Sequence, residues 1–142
     1  TLLEGYQVLH KLAQETSFSA DELTVVWQSI NVEHACHYCV PAHTGIAKSM
    51  NVSDTLIEEL RNDEVLSDSK LNTLKETVLA VTRGRGNVEE TQLKAFYDAG
   101  YAHKQLLEII LVLAQKVMSN YTNHLAETPV DEPFKKFEWS PK

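Results

Sequence analysis

An all-α fold is predicted, on three observations. Apolar residues recur at three- and four-residue spacings through most of the chain. Two stretches begin with a helix-capping pattern, Ser19-Ala20-Asp21-Glu22 and Asn87-Val88-Glu89-Glu90. No strand pattern and no internal repeat stands out. The length of 142 residues predicts one domain over 1–142, with an extended tail from about residue 127.

A first helix runs from about Leu3 to Gln14, with Tyr6, Leu9, Leu12 and Ala13 on one side. The second starts at Ser19 and carries Leu23, Val26, Trp27 and Ile30, ending near Asn31. The third covers about Cys36 to Met50. Pro41 interrupts its ladder, so the regular helix alternatively begins near Val40, with the cysteines on a tight turn before it. Ser53 or Asn51 caps a short helix reaching Arg61. After the polar stretch 62–69, Leu71, Leu74, Val78, Leu79 and Val81 mark a longer helix that Arg83-Gly84-Arg85-Gly86 stops. The Asn87 pattern opens a helix to about Asp98, with Gly100 just past its end. The last helix, about His103 to Ala126, carries two apolar stripes. One is Leu106, Ile110, Leu113, Val117 and Tyr121; the other is Leu107, Leu111, Ala114, Met118 and Leu125. Two stripes predict a central helix or one at a subunit interface. The tail holds Pro129, Pro133 and Pro141, so it is no long helix, and Phe134, Phe137 and Trp139 need a surface to cover.

Composition narrows the function. A formal charge of −7 argues against nucleic acid or an anionic membrane as partner. The Arg-Gly-Arg-Gly tetrapeptide occurs once and reads as a helix stop, not as an RNA-binding repeat. No segment reaches the roughly 20 apolar residues that span a bilayer. The first residues lack the basic start and apolar centre of a signal peptide. The two cysteines form a C-x-x-C pair, a usage that suits a reducing, cytoplasmic setting better than a disulfide scaffold.

That pair lies in Glu33-His34-Ala35-Cys36-His37-Tyr38-Cys39-Val40-Pro41-Ala42-His43. On a helix, Cys36, Cys39 and His43 fall within an arc of about 60°. The start of a helix favours a thiolate, through free N–H groups and the macrodipole. Two adjacent thiols and a proton acceptor are what peroxide reduction through a disulfide requires. His43 is four residues after Cys39 and seven after Cys36, which points to Cys39 as the attacking thiol and Cys36 as its resolving partner. The opposite assignment rests on Cys36 lying nearer the helix start. The expected partners are an organic hydroperoxide and an external dithiol; no cofactor is required.

Two other readings compete. C-x₂-C-x₃-H offers zinc three ligands, and His34 or His37 a fourth, but no second Cys/His cluster exists to close a structural site. A redox-sensing oligomer without turnover is the non-enzymatic alternative. Haem attachment needs histidine where Val40 stands. Glu33 is the nearest carboxylate and is a candidate to orient the site. Tyr38 points about 140° from the middle of the Cys/His arc on an ideal helix, so it suits packing unless the turn is irregular. His34 and His37 are expected exposed, and His10 and His103 have no partner legible in the sequence. Asn120, Asn123 and His124 share a polar side of the last helix, where a structural network is the expectation.

The pattern Glu33-x-x-Cys36-x-x-Cys39-x-x-x-His43 resembles the AhpD-like alkylhydroperoxidases of the carboxymuconolactone decarboxylase superfamily. Val81-Thr82-Arg83-Gly84-Arg85-Gly86, Ala99-Gly100-Tyr101, Asn120-Tyr121-Thr122-Asn123-His124 and Thr128-Pro129-Val130-Asp131 are also similar to that family. The resemblance implies a helical fold assembling as dimers, trimers or hexamers, and thiol peroxidase or disulfide reductase activity in antioxidant defence. It implies Cys36 and Cys39 as the redox pair, the second peroxidatic, with His43 as relay base. The family's relay glutamate, about twelve residues before the first cysteine, corresponds here to Thr24. Glu33 or Glu22 are the carboxylates that would replace it. The position of Tyr38 holds a relay histidine in some relatives, which makes the tyrosine a site candidate.

Overall fold

The helix opened by Ser19 is the axis around which the others pack. Glu22 N–H donates to Ser19 Oγ at 3.2 Å, and Ser19 N–H to Glu22 Oε1 at 2.9 Å, so the predicted capping box is present. Every residue from Leu23 to Asn31 is buried, including the polar Thr24, Gln28, Ser29 and Asn31. A helix buried around its whole circumference must be covered on all sides. The computed structural model, which describes residues 1–142, supplies that cover with helices alone. They are α1 (Leu2–Gln14), α2 (Ala20–Glu33), α3 (Cys39–Ser49), α4 (Asp54–Arg61), α5 (Ser69–Arg83), α6 (Glu90–Asp98) and α7 (His103–Leu125), followed by a 3₁₀ turn, Glu132–Phe137.

Helices α3, α4, α5 and α7 touch α2 directly, while α1 lies on α7 and α6 on α5. Trp27, Ile30, Leu74, Val78, Phe96, Ile109 and Val112 meet in the core. Each large apolar side chain removed from water there stabilises the fold by about 1.5–3 kcal/mol. No helix is long and apolar enough to cross a membrane.

Two local expectations need revision, and one open choice is decided. Asn87 does not cap α6. Its Nδ2 and its backbone N–H both donate to the Gly84 carbonyl, at 3.1 and 3.0 Å, so it closes the preceding turn, and Glu89 becomes the N-cap. In that turn Arg85 and Gly86 take positive φ (52° and 89°), which ends α5. The short helix is capped by Ser53, which accepts from Leu56 N–H at 3.2 Å, while Asn51 sits at φ 62° in the turn before it. In α7 neither predicted stripe is the buried one. The buried line is Ile109, Val112, Gln115, Lys116 and Asn120, leaving Leu107, Ile110, Tyr121 and Leu125 exposed.

The tail folds back over α3. Arg61 Nη1 and Nη2 donate to the carbonyls of Phe137 and Glu138, and Trp139 Nε1 donates to the carbonyl of Arg61. Phe134 lies so close to Gly45 that a Cβ there would stand 2.7 Å from the ring, so this contact requires glycine. The tail aromatics therefore cover α3 and help to build the cavity described next.

Candidate active site

The cysteines sit in the turn that joins α2 to α3. Ala35 adopts φ 51°, which costs a non-glycine residue about 1–2 kcal/mol. It lets Cys36 N–H donate back to the Asn31 carbonyl at 3.0 Å. Val40 and Ala42 N–H then bond to the carbonyls of Cys36 and Tyr38, and the regular helix starts at Cys39. Pro41 falls in the first turn, where a missing N–H costs little. The chain lies between the two geometries the sequence allowed, close to the later start: Cys36 is on the turn and Cys39 opens the helix.

The two thiols are unlinked. Cys39 N–H donates to Cys36 Sγ at 3.2 Å, and Asn123 Nδ2 approaches Cys39 Sγ at 3.5 Å. Cys36 is fully buried; Cys39 is nearly so, yet it lines a cavity of about 500 Å³ that Cys36 does not reach. Most of the cavity wall is apolar, with Leu2, Leu3 and Tyr6 of α1, Ile46 of α3, Met118 of α7 and Phe134 of the tail. No aspartate or glutamate lines it.

Electrostatics separates the two sulfurs. The hydrogen bond from the Cys36 thiol, the Lys116 ammonium and the Asn120 and Asn123 amides outweigh burial at Cys39, holding its thiol down at about 5. Cys36 is pushed far above its ordinary value, by its hydrogen bond to Cys39 and by burial. A backbone N–H favours charge on Cys36, but the cation and the open cavity belong to Cys39.

His43, one helical turn after Cys39, lines the same cavity and is buried. Its Nε2 is 2.9 Å from Lys116 Nζ, while its Nδ1 has no protein partner. Burial, then the positive charge of Lys116, hold the imidazole well below its usual range, so it is neutral. His10, stacked on Trp27 at 5.8 Å, continues a row of rings from Tyr6 to His43. Gln115 joins the row at its centre, accepting from Trp27 Nε1 and pairing with His10 Nδ1.

Lys116 went unnoticed in the sequence. The available signal was its place four residues after Val112 and seven after Ile109, on the buried line of α7. Tyr38, expected to point away, also lines the cavity, because it precedes the regular helix. Its hydroxyl donates to Asp131 at 2.6 Å, and this bond pushes its pKa up to about 12. His34 and His37 are half-buried, not exposed: His34 Nδ1 meets Asn120 Oδ1 at 3.0 Å and His37 Nε2 meets the Thr128 carbonyl at 2.8 Å. Asn120 Nδ2 donates to Asn31 Oδ1 at 2.9 Å, the structural network expected of it. Asn120 also favours charge on Cys39, and Asn123 lines the cavity beside that sulfur, neither of which the sequence led us to expect. His103 pairs with the Tyr97 hydroxyl. No cluster of three or more His, Cys, Asp or Glu side chains forms a metal-binding group.

The structure does not bring the expected carboxylates to the sulfurs. Glu33 accepts from Arg83 Nε and Nη2, both at 2.8 Å, and this lowers its pKa; it does not line the cavity. Glu22 is spent on the α2 cap. Thr24 is buried and its hydroxyl donates to the Ala20 carbonyl.

No protein-family model matches the chain, and no curated protein matches it by sequence. Solved structures do. One, from Ralstonia eutropha JMP134, is described as an alkylhydroperoxidase AhpD core and an uncharacterized peroxidase-related protein. It superposes with a TM-score of 0.82 at 16% identity, over 92% of this chain and 71% of that one. A second, an uncharacterized peroxidase-related protein from Silicibacter sp. TM1040, gives 0.78 at 16% identity, over 93% and 71%. With helices alone, wound in the order and arrangement of those structures, this chain has the AhpD-like fold that its cysteine motif led us to expect.

Proposed function

We propose that this protein is a cytoplasmic thiol-dependent hydroperoxide reductase serving antioxidant defence. The observation that carries the proposal is Cys39: a thiol with a depressed pKa at the wall of an apolar cavity, hydrogen-bonded to a second thiol. The peroxidase-related names of the similar structures point the same way.

The Cys39 thiolate attacks the distal oxygen of an organic hydroperoxide. The O–O bond breaks, the alkoxide takes a proton and leaves as alcohol, and Cys39 becomes a sulfenic acid. Cys36 attacks that sulfur, water leaves, and a Cys36–Cys39 disulfide forms. An external dithiol reduces it and is itself oxidised. The apolar wall suits a hydroperoxide with a hydrocarbon tail. In place of the relay base expected from the sequence, His43, with its Nε2 taken by Lys116, serves as the neutral ring that positions the proton-bearing group beside Cys39, and the Tyr38 hydroxyl borders the substrate. The exposed Leu107, Ile110, Tyr121 and Leu125, which helical spacing sets on one side of α7, are the candidate face for a homo-oligomer.

The test is turnover of an organic hydroperoxide with a dithiol. Cys36→Ser and Cys39→Ser are each expected to abolish it. Mass spectrometry after one equivalent of hydroperoxide should find the Cys36–Cys39 disulfide in the wild type and a sulfenic acid on Cys39 in Cys36→Ser. Turnover surviving in both variants overturns the proposal.

A further inference from the structure

We propose that Lys116 is the working cation of this site: it holds Cys39 as a thiolate, and it is the acid that protonates the departing alkoxide. The first half stands independently of the reaction; the second rests on the peroxidase reading above.

Lys116 lies mid-way along α7 and is 1% exposed. An ammonium carries three donors and no acceptor. One donor reaches His43 Nε2, which fixes that nitrogen as the acceptor and leaves the ring proton on the unpartnered Nδ1. A buried ammonium is costly without a counter-charge. The groups around this one are Tyr6 and His10 from α1, Tyr38 from the turn, and Cys39 and His43 from α3. Helix α2 presents Trp27, whose ring stands 4.7 Å from that of His43, and the tail presents Phe134, neither of them ionisable. The buried lysine of α5, Lys75, is turned to Glu64 and Asp63. Lys116 therefore meets no carboxylate; burial holds the Tyr6 hydroxyl neutral and the bond to Asp131 does the same for Tyr38, which leaves the two sulfurs to carry its counter-charge. Of these, Cys39 shares the cavity with it. Burial lowers the Lys116 pKa and the two sulfurs raise it, in agreement with that pairing. No aspartate or glutamate lines the cavity, so the proton-handling role falls to this cation.

The protons balance around this lysine. Cys39 is anionic, Lys116 protonated and Cys36 a thiol at the start. Oxygen transfer to Cys39 leaves an alkoxide, which takes the Lys116 proton and departs as alcohol. Cys36 displaces hydroxide from the sulfenic acid, and its own proton completes the water. When the external dithiol cleaves the disulfide, one of its protons returns to Cys36 and the other to Lys116.

Lys116→Met removes the charge and keeps the length of the side chain. Reduced wild-type and variant protein are titrated by ultraviolet thiolate absorbance, a readout that needs no substrate. Loss of the charge should move the midpoint toward the ordinary thiol range and lower the thiolate fraction at pH 6 at least about tenfold. Lys116→Arg, which keeps the charge, should retain most of the low midpoint. An unchanged midpoint in Lys116→Met overturns the thiolate role; should that variant not fold, Lys116→Gln is read the same way. Single-turnover reduction of cumene hydroperoxide, compared above each protein's own thiol midpoint, tests the acid role. There Lys116→Met should be at least about tenfold slower, and equal rates overturn it. If the wild type consumes no hydroperoxide, the peroxidase reading fails while the titration still decides whether Lys116 sets the charge on Cys39.

Discussion

Two lysines are buried in this molecule, and they are buried in opposite ways. Lys75 of α5 donates to the Glu64 carbonyl at 2.6 Å and pairs with Asp63 at 3.0 Å, which ties the loop after α4 to the core. Lys116 of α7 has no carboxylate and no carbonyl; it faces a neutral imidazole and two thiols beside an open cavity. The first arrangement satisfies the ammonium with a carboxylate and a backbone carbonyl, neither of them a nucleophile. The second leaves its charge to be balanced by an atom that can react. A buried charge whose counter-ion is a sulfur is therefore a reactive arrangement, whereas one whose partners are a carboxylate and a backbone oxygen is a structural one.

The sharpest way to break this contrast is to delete both amines and compare stability and thiol reactivity. Lys75→Met strands the Glu64 carbonyl and should cost about 1–3 kcal/mol, read by denaturant unfolding, with little effect on thiol reactivity. Most of that cost comes from the carbonyl, since Asp63 is more than half exposed and its ion pair is screened. Lys116→Met strands His43 Nε2 and a thiolate that can neutralise itself by taking up a proton, so it should cost a similar amount, about 1–3 kcal/mol, and yet, unlike Lys75→Met, change the thiol chemistry. Thiol reactivity that moves equally in the two variants would erase the distinction.

A smaller effect sharpens it through pH. With Cys39 held at about 5, alkylation of the reduced protein by iodoacetamide should be nearly flat between pH 6 and 8. As pH falls through about 5 the thiolate is protonated, and the rate should fall about tenfold per further pH unit. A rate that climbs steadily toward pH 8 would mean that Lys116 is no more coupled to a sulfur than Lys75 is.

The smallest effect concerns the carboxylate expected from the sequence. Glu33 is engaged by Arg83 outside the cavity. Glu33→Gln should change hydroperoxide turnover less than about twofold and stability by less than about 1 kcal/mol, the usual worth of a partly exposed ion pair. A large loss of turnover with unchanged folding would restore Glu33 to the site.

Much of this was legible in the sequence because it is local. Ser19 and Glu22 are three residues apart, and the bonds that make a capping box lie within one turn. The place of Gly100 just past α6, at φ 105°, follows from a steric rule that needs no distant partner. The Asn87 pattern was misleading for an equally local reason: the same side chain can close the preceding turn, and here it does. The apolar stripes of α7 misled because hydrophobicity was used to choose the inward face. That face instead carries Gln115, Lys116 and Asn120, each of which the surrounding helices provide with a partner or a counter-charge.

The sequence alone determined the helices, the Ser19 cap and the nearness of two thiols three residues apart, since those follow from backbone hydrogen bonding and side-chain spacing within a few residues. Tertiary structure alone decided which polar groups meet the sulfurs. Lys116 stands 73 residues from His43 in the chain, and Asn123 stands 84 from Cys39. No periodicity encodes such a meeting, because it depends on how α7 and α3 lie against α2, and that is settled only when the whole core is packed.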